Sequence, residues 1–274
     1  MPGVSQSSCP SGPEAQTVPH HRNLAPPAQR GADRPVIHDE LRSHYDALYD
    51  LLLNGRRARD ARPVLDVGSG DGLALSAIMQ GTPLHGIAID SAATGPWLGP
   101  SDWALVQADA QRLPFADSRF RSAMMVDVLE WLRHPAATLR EIARTTDGPI
   151  LIVQTDWEGL WFQVDRAEIG RDLVRGFTKG APEELRGLIK SAAEAAGVTV
   201  TQMSSVSIET NRLDQGSLAW DVLESIRRFL VIESAQVRAR RFDDWRSELQ
   251  LAADEGQFSM LVRRVVALVE AGEV

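Results

Sequence analysis

"PVLDVGSGDG", residues 63–72, sets three glycines in five positions behind a short apolar run, with aspartates at 66 and 71. Val64, Leu65 and Val67 read as a strand entering the turn, and Leu73 to Met79 as a helix leaving it. A turn of this kind leaves backbone N–H groups facing open space, which outlines a ligand site. Gly68 and Gly70 permit positive φ and close approach of a ligand to the backbone.

Working outward, "LHGIAID" (84–90), "WALVQAD" (103–109), "RSAMMVDVL" (121–129) and "GPILIVQTD" (148–156) read as strands, with a helix predicted over 135–145. Short apolar runs separated by amphipathic helices predict an α/β fold whose doubly wound, Rossmann-like parallel sheet is covered on both faces. Upstream, Leu41, Tyr45, Leu48 and Leu52 recur at helical spacing. Downstream, 182–197 reads as a helix with Pro182 near its start and Gly197 past its end, and 198–210 alternates as a strand. Two helical patterns fill 211–257, one using Val222, Ile226, Phe229 and Leu230, the other Trp245, Leu249 and Ala252. Residues 258–270 fit a closing strand or a helix.

Composition narrows the partners. The 274 residues carry 29 basic against 37 acidic side chains, a net charge of −8, so no broad positive field exists to collect nucleic acid or anionic lipid. Residues 1–34, rich in Pro, Ser, Gly and Gln, read as a flexible tail, and 35–274 as one domain. The tail's His20 and His21 read as solvated, and the single cysteine, Cys9, fits a reducing compartment. With no apolar run of membrane-spanning length and no signal-peptide pattern, a cytoplasmic protein is expected, as monomer or homodimer, with a small molecule as its partner.

The turn itself argues against phosphate. A dinucleotide fingerprint wants its third glycine at 73, where Leu73 stands; a P-loop needs a lysine; and Asp66 and Asp71 would repel an anion. They suit a ligand with positive charge. S-adenosylmethionine fits, its carboxylate at the helix N-terminus and its ammonium at the acidic rim, although an ordinary tight connection is the plain alternative. Asp90 ends the second strand, where an acid can accept both ribose hydroxyls. Asp109 ends the third, positioned for the adenine amino group with Ala110 and Gln111 facing the ring. Either could instead form an Asx-turn.

"VLDVGSGDG", "GIAID", "QADAQRLPFADSRFRSAMMVDVLEWLRHP" and "ILIVQTD" together resemble the successive motifs of class I S-adenosylmethionine-dependent methyltransferases, in particular the ubiquinone and menaquinone methyltransferase group. The resemblance covers residues 60–156 and implies a seven-stranded sheet, six strands parallel and the last antiparallel. It also implies Asp66, Gly68, Ser69, Gly70 and Gly72 around the methionine portion, Asp90 and Ser91 at the ribose, and Asp109, Ala110 and Gln111 at adenine, with Asp127 completing the cofactor set. Residues 258–270 then become the final strand and 211–257 an insertion or lid. The sequence departs from the family at 91–102, where "SAATGPWLGPSD" predicts a turn or helix stub instead of a full helix, and Trp97 either stacks near adenine or covers the sheet edge. Trp131 occupies a position often held by histidine.

For chemistry, positioning an acceptor against an activated methyl outweighs proton transfer, about 7–11 kcal/mol against roughly 10² to 10⁴-fold in rate. His134 is the candidate base, with a turn or capping role before Pro135 as its alternative; His44 and His85 have weaker claims. Asp127 and Asp156 fall at expected strand ends, as in catechol-type methyltransferases, but Trp157 stands where a partner Asn would complete a magnesium site, so no metal is expected. Tyr45, Tyr49, Trp131, Trp157 and Trp161 are candidates to hold a flat or apolar acceptor, or to pack in the core. An alanine- and arginine-rich chain points to a specialised metabolite in a bacterial biosynthetic pathway. The alternatives are a cyclisation or rearrangement that uses the same cofactor, a cofactor-binding protein without turnover, and nicotinamide binding, which Leu73 disfavours.

Overall fold

The computed structural model describes residues 39–53, 61–70, 72–79, 85–91, 99, 103–163, 172–173, 185–215, 217–232 and 236–271. The tail at 1–34 with Cys9, His20 and His21, and likewise Asp71, Trp97 and Pro182, lie outside the described residues.

Strands β1 (Val64–Val67), β2 (Gly86–Asp90), β3 (Ala104–Gln107), β4 (Ser122–Val126), β5 (Ile150–Gln163), β6 (Val198–Thr210) and β7 (Ser259–Ala271) form one sheet in the order β3-β2-β1-β4-β5-β7-β6. All pairs from β3 to β5 are parallel, while β7 runs antiparallel to both β5 and β6. Six strands therefore run one way and the last runs against them. The ambiguous segment 258–270 is a strand because it inserts between β5 and β6, where its Val-rich run is paired on both edges.

Both faces are covered, as the apolar runs require. On one face α1 (Asp39–Leu53) and α2 (Leu73–Met79) bury Leu48, Leu52, Leu75 and Ile78 against Val64, Ala88, Met124, Leu151 and Val153. On the other, α3 (Pro135–Thr145) and α4 (Leu185–Ala196) bury Leu139, Ile142 and Ile189 against Leu65, Ile152 and Ala267. Gly197, at φ 75°, ends α4 in the left-handed conformation expected of a residue past a helix C-terminus.

The sequence places the end of the fifth strand at Asp156; in the structure β5 continues to Gln163 through an irregularity in register between Asp156 and Trp161. Asp156, Trp157 and Trp161 are therefore strand residues, not residues at or beyond a strand end. The continuation exists because β7 offers Ser259 to Leu261 as partners for Trp161 to Gln163. Beyond the irregularity, Leu160 and Phe162 pack with Ile208, Met260 and Val262 under two helices, α5 (Leu218–Ile232) and α6 (Gln236–Asp254). Trp245 and Phe242 of α6 are fully buried there, with the Phe162 and Trp245 rings edge to face at 4.9 Å. The two helices thus stand on the overshooting ends of β5, β6 and β7.

Candidate active site

The glycine turn is tied down from both sides. Gly68, Gly70 and Gly72 take φ of 72°, 57° and 83°. The N–H groups of Gly68 and Ser69 both donate to the carbonyl of Ile89 on β2, at 2.9 and 3.0 Å. Gly70 N–H donates to Asp90 Oδ2 at 2.9 Å, so the acid at the end of β2 fixes the turn as well as facing it. A Cβ at Gly68 would lie 2.5 Å from Val128 Cγ2, so the segment after β4 presses on the turn. Ser69 Oγ is enclosed without a hydrogen-bond partner among the described residues.

Asp66, third in β1, is buried at 3% exposure beneath this turn. Burial, with the Asp90 charge adding to it, pushes its carboxyl up to about 8. An ammonium placed beside it would relieve both costs. Along the same rim Asp109 is exposed, and one of its oxygens accepts from Gln111 N–H at 2.9 Å, the Asx-turn that the sequence left open. Its other oxygen carries no bond within that turn. Ser91 is exposed and Ala110 half-buried beside them.

A second cluster lies where β4 and β5 end, and the sequence points to only part of it. Asp127, at φ 53°, accepts from Thr155 N–H at 2.6 Å and from Thr155 Oγ1 at 3.1 Å, and Arg264 Nη2 stands 4.0 Å from its Oδ2. This carboxylate is engaged with β5 and β7 rather than left open toward the glycine turn. Glu130, in a 3-10 turn at Leu129–Trp131, has its N–H bonded to Gln154 Oε1 at 3.2 Å. Burial and the neighbouring Asp127 charge push the Glu130 carboxyl up to about 7, with the nearby Trp157 and Trp131 indoles opposing the shift; both its oxygens are enclosed without a hydrogen-bond partner among the described residues. Trp157 also packs against the cluster under α5 and α6. Trp131 and Trp161 are both 45% exposed. On α1, Tyr45 packs on two core clusters and faces the Arg264 guanidinium, whereas Tyr49 packs on one alone.

Sequence reasoning missed Glu130, Thr155 and Arg264. The signal for Glu130 was its place in "VLEWLRHP" beside Trp131. For Arg264 the only signal was a charge in the middle of an apolar closing strand.

The histidines separate clearly. His134 is exposed at the N-cap of α3, where its carbonyl accepts from Thr138 N–H at 3.2 Å and its side chain makes no capping bond. His85 precedes β2 and therefore sits at the opposite end of the parallel strands from the glycine turn. His44 is 6% exposed under α1, and burial together with the Arg264 charge holds it down at about 4, neutral at physiological pH. Asp156 pairs with Arg263 at 2.9 Å and accepts from Gly159 N–H, apart from the bonds of Asp127. Among the described residues no group of three or more His, Cys, Asp and Glu is arranged to hold a metal ion. No described helix is long and apolar enough to cross a membrane.

Residues 65–148 match a family model described as a methyltransferase domain. No curated protein matches the sequence significantly. Among solved structures, the chain is similar in fold to a candidate methyltransferase of Bacillus halodurans, at TM-score 0.54 and 15% identity over 84% of this chain and 100% of that one. A candidate methyltransferase from an antibiotic biosynthesis pathway of Anabaena variabilis gives TM-score 0.54 at 14% identity, over 80% and 96%. The [4+2]-cyclase SpnF gives 0.51 at 14% identity, over 83% and 82%. The matched segment begins in β1 and takes in the glycine turn and the ends of β2 to β4, and with the strands that follow it the chain has the seven-stranded, Rossmann-like fold of class I S-adenosylmethionine-dependent methyltransferases.

Proposed function

We propose that the protein binds S-adenosylmethionine at the rim formed by β1, β2 and β3 and transfers its methyl group to a small-molecule acceptor held at the ends of β4 and β5. The observation that carries the reading is the glycine turn, clamped by Ile89 and Asp90, with Ser69 Oγ enclosed and lacking a partner above a buried Asp66. A ligand bearing an ammonium, a carboxylate and a ribose suits this set, its ammonium relieving buried Asp66 and a polar atom partnering Ser69 Oγ. In this reading Asp66, Gly68, Ser69, Gly70 and Gly72 hold the methionine portion, Asp90 with Ser91 the ribose, and Asp109, Ala110 and Gln111 the adenine. Asp127 sets the boundary between cofactor and acceptor.

When bound, the cofactor supplies a methyl group already activated on a sulfonium. The chain's part is to orient the acceptor and exclude water: Trp157 and Trp131 flank it, α1 covers one side with Tyr45 and Tyr49, and α5 and α6 form a lid above. Geometry provides most of the acceleration. His134, exposed at the same end of the sheet, is the candidate proton acceptor; a near-normal rate in His134→Ala would leave positioning as the whole mechanism.

Titration calorimetry with S-adenosylhomocysteine tests the reading. Wild type should bind, and Asp90→Ala should weaken binding by about tenfold or more, since it loses both a ligand contact and the anchor of Gly70. Absence of heat and of thermal shift with the wild type refutes the cofactor assignment. The likeness to a [4+2]-cyclase favours one second reading, a rearrangement that proceeds with the cofactor bound and unconsumed. Stoichiometric S-adenosylhomocysteine in the product mixture excludes it.

A further inference from the structure

Arg264 has no task in the chemistry above. It sits in β7 level with Thr155 of β5 and Val206 of β6, on the face covered by α1, with its side chain 12% exposed. Its Nε and Nη1 are enclosed with no hydrogen-bond partner among the described residues. The nearest carboxylate, Asp127, stands 4.0 Å from Nη2 and already takes two bonds from Thr155. Glu130, the other acid of the cluster, has both carboxylate oxygens enclosed without a hydrogen-bond partner among the described residues, so it accepts nothing from the guanidinium. A guanidinium has five N–H donors and cannot shed its charge, so enclosing it with open donors is costly unless something accepts from them. His44 Nε2, beside it on α1, is equally enclosed and equally without a partner, and Tyr45 turns its hydroxyl toward the same guanidinium.

Three elements distant in sequence thus bring polar groups to one point between α1 and the ends of β4 and β5, with the tryptophan pair of the acceptor site alongside. We infer that Arg264, flanked by His44 and Tyr45, is an anion-binding centre of the acceptor site, and that the acceptor carries a negatively charged oxygen group next to an apolar ring. The inference rests on the proposed acceptor site and specifies the substrate class it takes. A carboxylate and a phosphate share the required chemistry: both accept charge-assisted bonds from a guanidinium.

The test uses full-length protein saturated with S-adenosylhomocysteine, titrated calorimetrically with benzoate, phenyl phosphate and the uncharged benzamide. At least one of the two anions should bind about tenfold or more tightly than benzamide, and Arg264→Met should erase that preference. Arg264→Lys, which keeps the charge and loses the fork, should fall between them. Whichever anion binds more tightly identifies the source of the charge. Equal binding of anion and amide, no binding of either anion, or a preference that survives Arg264→Met overturns the inference. S-adenosylhomocysteine binding, measured first in each variant, reads the cofactor site separately: if wild type fails there, the cofactor reading fails, and if only the anion arm fails, the substrate class alone is wrong.

Discussion

At the scale of single residues, the site is set by acids whose surroundings differ. Asp66 and Glu130 are both pushed up by burial, to about 8 and about 7, the first with Asp90 and the second with Asp127 adding like charge. A bound ammonium favours ionised Asp66, so S-adenosylhomocysteine binding near pH 7 should release a proton. Calorimetry in buffers of different ionisation enthalpy measures that release, and Asp66→Asn should abolish it. Glu130 gives an optical signal, because its charge lies against two indoles. Tryptophan emission should titrate with a midpoint near 7 in wild type and lose that step in Glu130→Gln. The sequence places Asp66 at the turn as an acid for a positively charged ligand, but its burial, which depends on strands and helices arriving from elsewhere, was not legible, and Glu130 was not legible at all. Arg264 was hidden for the same reason, since an arginine in a closing strand reads as a solvated face until α1 is laid over it.

At the scale of elements, the glycine turn illustrates a constraint that crosses the sheet. Alanine at Gly68 must adopt positive φ and meet Val128 at 2.5 Å, two separate penalties. The backbone part is about 1–2 kcal/mol. The steric part is removable, so Gly68→Ala should lower the melting temperature and weaken S-adenosylhomocysteine binding, and Val128→Ala added to it should recover part of each loss. Gly197 is the control: its added Cβ meets nothing within 4 Å, so Gly197→Ala should incur the backbone penalty alone. The turn, α3 and β6 were legible because glycine spacing, a proline start and strict alternation are local signals. The length of β5 was not. "DWEGLWFQ" mixes acids, glycine and tryptophans around an irregularity, and only pairing with β7 extends the strand.

At the scale of the molecule, protonation and packing act together. Asp66 has a folded value raised far above its unfolded one, so the stability it contributes is fully present below about 4 and is lost as pH rises through about 8. Glu130 acts in the same direction, up to about 7. Chemical denaturation midpoints of the ligand-free protein should therefore fall between pH 4 and 8, and Asp66→Asn should flatten that fall. Trp245→Ala, in the core that joins α6 to the overshooting strands, should cost about 3–5 kcal/mol by the same measurement. The helical pair has one further consequence. β6 leads into α5 and β7 leaves α6, and those strands are zipped together from Val198↔Ala271 to Thr210↔Met260. Such a bracket cannot swing like a flap without tearing the sheet edge. With that bracket fixed, α1 is the element expected to move as a ligand reaches Arg264, and deuterium uptake should register this as faster exchange in 39–53 than in 218–232, with the gap closing once both ligands are seated.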